Sequence, residues 1–219
     1  MHSLSARVLS WSVLTLAAVQ LARAEVQLPA LFTDHMVLQR NEKITVWGTA
    51  ADKETVKVTF QGKTVTATPK DGNWSVRLPK QKAGGPYKLV VEGRNRIEIQ
   101  DVLVGDVWVC SGQSNMEWPL RAATDGDKAA KAGTNPNIRL FTVPKLKSDL
   151  RVKDVRSKWQ ECTPENLPAF SAVGYFFGRD LQPAVGVPIG PGAIKSSCWL
   201  MRNSGVGMQP NDDHVSDRV

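Results

Sequence analysis

Histidine is nearly missing from this chain. It occurs at positions 2, 35 and 214 only, so few side chains can serve as a general base near neutral pH or as a nitrogen ligand to a metal. Cysteine is as scarce, with Cys110, Cys162 and Cys198. An odd count permits one disulfide and leaves a thiol over, without choosing the pair. Cys110 lies in an apolar stretch and reads as a buried, inert thiol. No Cys or His spacing resembles a metal site, and no cofactor is expected. Clustered basic residues are lacking too. Lys53, Lys57, Lys63, Lys70, Lys80 and Lys82 are scattered, as on solvated strand faces, which argues against nucleic acid as a partner. There is no internal repeat and no low-complexity segment.

A long apolar run is also absent. Val13–Ala22 is apolar but stops at Arg23, too short for a permanent membrane span. With Arg7 before it and Ala22-Arg23-Ala24 after it, the stretch reads as an export signal covering residues 1–24. No cysteine stands at the cut to carry a lipid, so the mature chain is expected to have no membrane anchor and to be secreted or periplasmic. Losing Arg7 and Arg23, and no acid, lowers the net charge from +7 to +5.

What is present divides at about residue 104. Residues 25–104 carry alternating apolar positions: Ile44 and Val46; Val56, Val58 and Phe60; Val65 and Ala67; Trp74, Val76 and Leu78; Leu89 and Val91; Ile97 and Ile99. Gln61-Gly62-Lys63 and Asp71-Gly72-Asn73 supply hairpin turns. The expectation is a small all-β antiparallel sandwich. From residue 105 the pattern changes. Val107–Cys110 reads as a buried parallel strand, Ile138–Val143 as a strand, and Phe170–Leu181 as a helix capped by Ser171. "VGVPIG" (185–190) offers the next strand, the start of a right-handed α/β layout.

The chemistry gathers in "VWVCSGQSNMEWPL" (107–120). A serine just past a strand and just before a helix has outward-pointing amides beside it and a dipole that favours developing negative charge. Ser114 is therefore a candidate nucleophile. Gly112 would allow a tight turn and close approach of substrate, and Gln113 and Asn115 would support the loop or bind substrate. The other reading makes Ser111 or Ser114 a helix cap and nothing more. The segment is not the Gly-x-Ser-x-Gly elbow, because Asn115-Met116 follows the serine.

"VLVGDVWVCSGQSNMEWPL" closely resembles the sialate O-acetylesterase family of SGNH-type esterases. "LPALFTDHMVLQRNEKITVWGTA", "DGNWSVRLP", "AGGPYKLVVEG", "FSAVGYFFGRDL" and "GVPIG…KSS" follow the same family's order, from about Leu28 to about Ser197. The resemblance implies a β-sandwich ahead of a flavodoxin-like three-layer α/β/α hydrolase domain, here incomplete and covering 105–197. It also implies Ser114 as nucleophile, with its own N–H as an oxyanion donor. The implied reaction is metal-free hydrolysis of O-acetyl esters on sialic acid or a related carbohydrate, which is the implied partner.

The family's general base comes from an Asp-x-x-His, and this chain does not match it. His214 has Asn211 three residues before it, with Asp212 and Asp213 out of register. His35 falls in the β-rich region and is expected at a surface or between domains. Where the family has Ser-Ser-Trp-Gly-Gly, the chain reads Ser196-Ser197-Cys198-Trp199-Leu200, and Pro191-Gly192 intrudes into the strand before it. Residues 198–219 read as a divergent, disordered tail, the mark of a truncated or frameshifted product with little esterase activity. The rival is a non-catalytic carbohydrate-binding or scaffold module. Against the rival, no exposed aromatic platform is identified, since Trp47 and Trp74 fall in strand patterns that favour core packing.

Overall fold

The computed structural model describes residues 25–145 and 152–194, together with the backbone of 201–202. The export signal, His214, Cys198 and most of the tail lie outside the described residues. Eleven strands run β1 (Val37–Gln39), β2 (Ile44–Thr49), β3 (Val56–Phe60), β4 (Lys63–Ala67), β5 (Asn73–Leu78), β6 (Gly84–Glu92), β7 (Arg96–Ser111), β8 (Asn135–Val143), β9 (Trp159–Cys162), β10 (Ile189–Ile194) and β11 (Met201–Arg202). Among the described residues three α-helices accompany them: α1 (Ser114–Glu117), α2 (Gly126–Lys131) and α3 (Ala172–Val185).

Alternation places the early strands as expected. Val56, Val58 and Phe60 of β3, Trp74, Val76 and Leu78 of β5, and Leu89 and Val91 of β6 share one buried core. Strands β2 and β5 pair with each other in a separate two-stranded sheet, while β4, β3, β6 and β7 follow in order in the main one. Gln61 and Gly62 both have positive φ and close the β3–β4 hairpin. Asp71 and Gly72 also have positive φ and close a two-residue turn in which Lys70 and Asn73 exchange both main-chain hydrogen bonds, although the strands on either side belong to different sheets. β4 pairs with β3, β5 pairs with β2, and the turn carries the chain from one sheet to the other. The all-antiparallel expectation also fails at β1, which pairs parallel with β7. Arg40 fastens that end of β1 by donating from Nε and Nη2 to the two carboxylate oxygens of Asp106, at 2.8 and 3.0 Å.

The change of character at residue 105 falls inside β7, a single strand of 16 residues. Its first half lies against β6 and β1; its second half lies against β10 and β11. The main sheet then continues through β10 and β8 to β9, with β7, β10 and β8 mutually parallel. Helix α3 packs on this part: Ser171 caps it by accepting from the Gly174 N–H at 3.2 Å, and Tyr175, Ile138 and Ile189 share the second core. No described helix is long and apolar enough to cross a membrane.

Pro191 does not break β10. The strand pairs with β7 through Pro191 itself, opposite Trp108, while its register with β8 skips from Ile189 to Gly192. The missing N–H thus interrupts the ladder on one side only. Gly105, at the midpoint of β7, has no room for a side chain, because a Cβ there would stand 1.9 Å from the Pro188 carbonyl oxygen. Gly105→Ala is expected to cost about 1–3 kcal/mol as an overpacked site whose neighbour is rigid backbone. The denaturation midpoint of the variant checks this, and a midpoint equal to the wild type's contradicts it.

Candidate active site

The parallel strands decide where a serine can be presented. β7 ends at Ser111, and the chain turns through Gly112 and Gln113 into α1, which begins at Ser114. Gln113, Ser114 and Asn115 are all exposed, whereas Met116 is buried. Met116 anchors the loop: the Ser171 hydroxyl at the start of α3 donates to its sulfur at 3.2 Å. The main chain holds the rest. The Ala172 N–H donates to the Trp118 carbonyl at 2.9 Å, the Leu120 N–H donates to that of Phe170 at 2.8 Å, and Pro119 forms a bridge with Ser171. Lys145, after β8, adds an ion pair to Glu117 at 3.0 Å.

Ser114 is not the cap of α1. Gln113 occupies that position and makes no side-chain cap bond. Among the described residues the Ser114 hydroxyl has no hydrogen-bond partner, and the N–H groups of Ser114 and Asn115 have no acceptor. No described residue competes with a ligand for these two amides or the hydroxyl. The side chains of Gln113 and Asn115 likewise form no hydrogen bond among the described residues. Their main chains support the loop, because the Gln113 carbonyl accepts from Met116 and Glu117 and that of Asn115 accepts from Trp118. Gly112 is not in the left-handed region. Its lack of a side chain matters because a Cβ there would press on Met116 at 3.2 Å. Helix α1 is four residues long, so the free amides, rather than a macrodipole, are what it offers to developing charge.

His35 is at the other end of the structure. Its Nδ1 lies 2.7 Å from the Asp101 carboxylate. From Asp101 to Ser111, β7 advances about 30 Å, so His35 cannot take a proton from Ser114. It belongs instead to a network joining the N-terminal segment, β7, β8 and β9. Arg139, 3% exposed, donates to Asp101 at 2.8 Å and to Glu161 at 3.3 Å. His35, Asp101 and Glu161 bring ligand-type atoms within 4.8 Å of one another. The Arg139 guanidinium already supplies the positive charge between the two carboxylates, however, so the group reads as an ion network. Sequence reading missed Arg139 because Leu140 and Phe141 beside it make "IRLF" look like a plain apolar strand.

Cys110 and Cys162 are free and buried, and burial pushes both thiols up to about 11. Thiolate is therefore scarce at neutral pH and neither side chain is a competing nucleophile. Both are expected to resist alkylation in the native protein at about pH 8 and to react fully in denaturant. Intact mass after reagent treatment checks this; rapid native modification of either would contradict it. Trp47 packs edge-on against Phe32, and Trp74 is buried. Trp118 departs from that pattern: it is 54% exposed, beside the loop.

No protein-family model matches the chain. Three quarters of it (76%) aligns at 32% identity with a sialate O-acetylesterase of Mus musculus, and 75% aligns at 30% identity with one of Homo sapiens. The chain spans about a third of the length of these relatives (34% and 35%). Among solved structures, a carbohydrate acetylesterase from Xanthomonas citri matches with a TM-score of 0.75 and 42% identity, over 78% of this chain and 40% of that one.

Proposed function

We propose, from this chain's kinship with the sialate O-acetylesterases, that it carries the nucleophile segment of a carbohydrate O-acetylesterase, with Ser114 as the attacking residue. The observation that carries this reading is the exposed Ser114 hydroxyl just beyond the end of β7, beside two N–H groups that have no acceptor among the described residues. In the reaction, Ser114 Oγ attacks the acetyl carbonyl carbon and loses its proton to a base. The oxyanion of the tetrahedral adduct is held by the Ser114 N–H, and that of Asn115 stands next to it. Collapse breaks the ester C–O bond, the sugar hydroxyl leaves with a proton, and water then hydrolyses the acetyl-serine. The substrate class is an O-acetyl ester of sialic acid or a related carbohydrate.

The fold that goes with this reading is a β-sandwich followed by part of a three-layer α/β/α SGNH domain, and the site of action is secreted or periplasmic. The 219 residues by themselves are proposed to have little esterase activity. His35 is remote, and His214 lacks an Asp three positions before it. The same lack of a base favours the second reading, a carbohydrate-binding module without turnover. Hydrolysis of a small acetyl ester by the wild type and by Ser114→Ala separates the two. Ser114-dependent turnover supports the esterase, and sugar binding unaffected by Ser114→Ala with no turnover under any condition supports the module.

A further inference from the structure

The geometry points to Trp118 as the platform on which the sugar ring of an acetylated pyranoside stacks while its ester reaches Ser114. The inference rests on the esterase reading and adds the residue that would select a sugar over other acetyl esters. Three features of Trp118 carry it.

The first is its direction. Met116 and Leu120, two residues to either side, are 8% and 0% exposed, whereas Trp118 is 54% exposed, the highest value among the exposed large apolar side chains described. The chain therefore turns its two aliphatic neighbours inward and this indole outward. The second is its position relative to the nucleophile. Ser114 opens the single turn of α1 and Trp118 is its C-cap, extended at φ −63° and ψ 115°, with its N–H bonded back to the Asn115 carbonyl. A single turn thus separates the indole from the nucleophile, and both residues are exposed.

The third is that the indole is held. Its N–H donates to the Ala122 carbonyl at 2.9 Å, so the one polar atom is satisfied and the ring faces are left for apolar contact. Its main chain is clamped by the Trp118 N–H to Asn115 bond at 3.3 Å and by the Ala172 N–H at 2.9 Å. A large aromatic surface fixed before binding loses little freedom when a ligand covers it. Val173, also well exposed, follows Ala172 and adds apolar surface on α3 near the clamp. A pyranose has an apolar face of C–H groups that suits such a surface, whereas a short alkyl acetate has none.

The test uses the full chain with an O-acetylated methyl pyranoside as probe, its affinity measured by calorimetry and its bound face by saturation-transfer NMR. Trp118→Ala is expected to weaken binding at least tenfold, and Trp118→Phe, which keeps an aromatic face, by no more than threefold. Val152→Ala, at an exposed apolar side chain outside the loop, should bind as the wild type does. Saturation should fall most strongly on the C–H protons of one ring face. Wild-type affinity in Trp118→Ala, saturation confined to the acetyl methyl, or no binding by the wild type overturns the inference. Its failure is separable from that of the esterase reading. Trp118-dependent sugar binding without Ser114-dependent acetyl transfer leaves the platform and removes the esterase. Ser114-dependent transfer with full affinity in Trp118→Ala does the reverse.

Discussion

Asp101→Ala destabilises the fold by about 3 kcal/mol, the lower end of what breaking a buried ion pair costs when one partner is removed. Arg139 is 3% exposed and its Nε already has no partner among the described residues. Without Asp101 it keeps only Glu161, at 3.3 Å, and that carboxylate is 47% exposed and well screened by water. The lower end of the range applies because Asp101 itself is 26% exposed, so water can enter after the change. A second effect acts in the same direction. Asp101 has φ of 52°, a conformation that Asp and Asn tolerate better than Ala. Asp101→Asn keeps the backbone preference and a neutral acceptor and should cost about half as much. Urea unfolding of the three proteins checks the order. A loss below about 1 kcal/mol in Asp101→Ala would place the network among ordinary surface ion pairs.

This network also marks the limit of what could be read without the structure. The positions within strands were legible because burial on one face imposes a period of two, and Val56, Val58 and Phe60 or Trp74, Val76 and Leu78 obey it. Helix α3 was legible from its Ser171 cap and apolar spacing. Pairing was not legible, because it depends on partners far along the chain. Thus β1 joins β7 in parallel, and Asp71-Gly72 turns between sheets rather than within one. The break read at residue 105 reflects a change of neighbours along one strand, from β6 to β10, which alters composition without ending the strand. Pro191 was read as an interruption because a lost N–H matters in a ladder, yet which side loses it depends on register.

The candidate site was half legible. A serine between a strand and a helical turn could be read directly from Cys110-Ser111-Gly112-Gln113-Ser114. That Gln113 rather than a serine takes the cap position, and that α1 is one turn long, could not be. Trp118 had a usable signal: Met116 and Leu120 at two residues either side claim the inward face, which leaves the indole outside.

We propose that Ser114 is a nucleophile whose oxyanion donors are its own N–H and that of Asn115, and among the described residues no histidine lies within reach of it. A serine hydrolase without its base keeps the residual catalysis of its oxyanion donors and binding, and loses several orders of magnitude. A free imidazole in solution can stand in for the absent proton acceptor. The most direct measurement is hydrolysis of an alkyl acetate by the wild type and by Ser114→Ala, each with and without imidazole, after subtracting the imidazole background. The account predicts rates within about threefold of each other without imidazole, and at least about a tenfold excess for the wild type with it. Equal rates with imidazole would contradict the assignment of Ser114. A wild type about a hundredfold faster than Ser114→Ala without imidazole would show that these 219 residues already contain a working base.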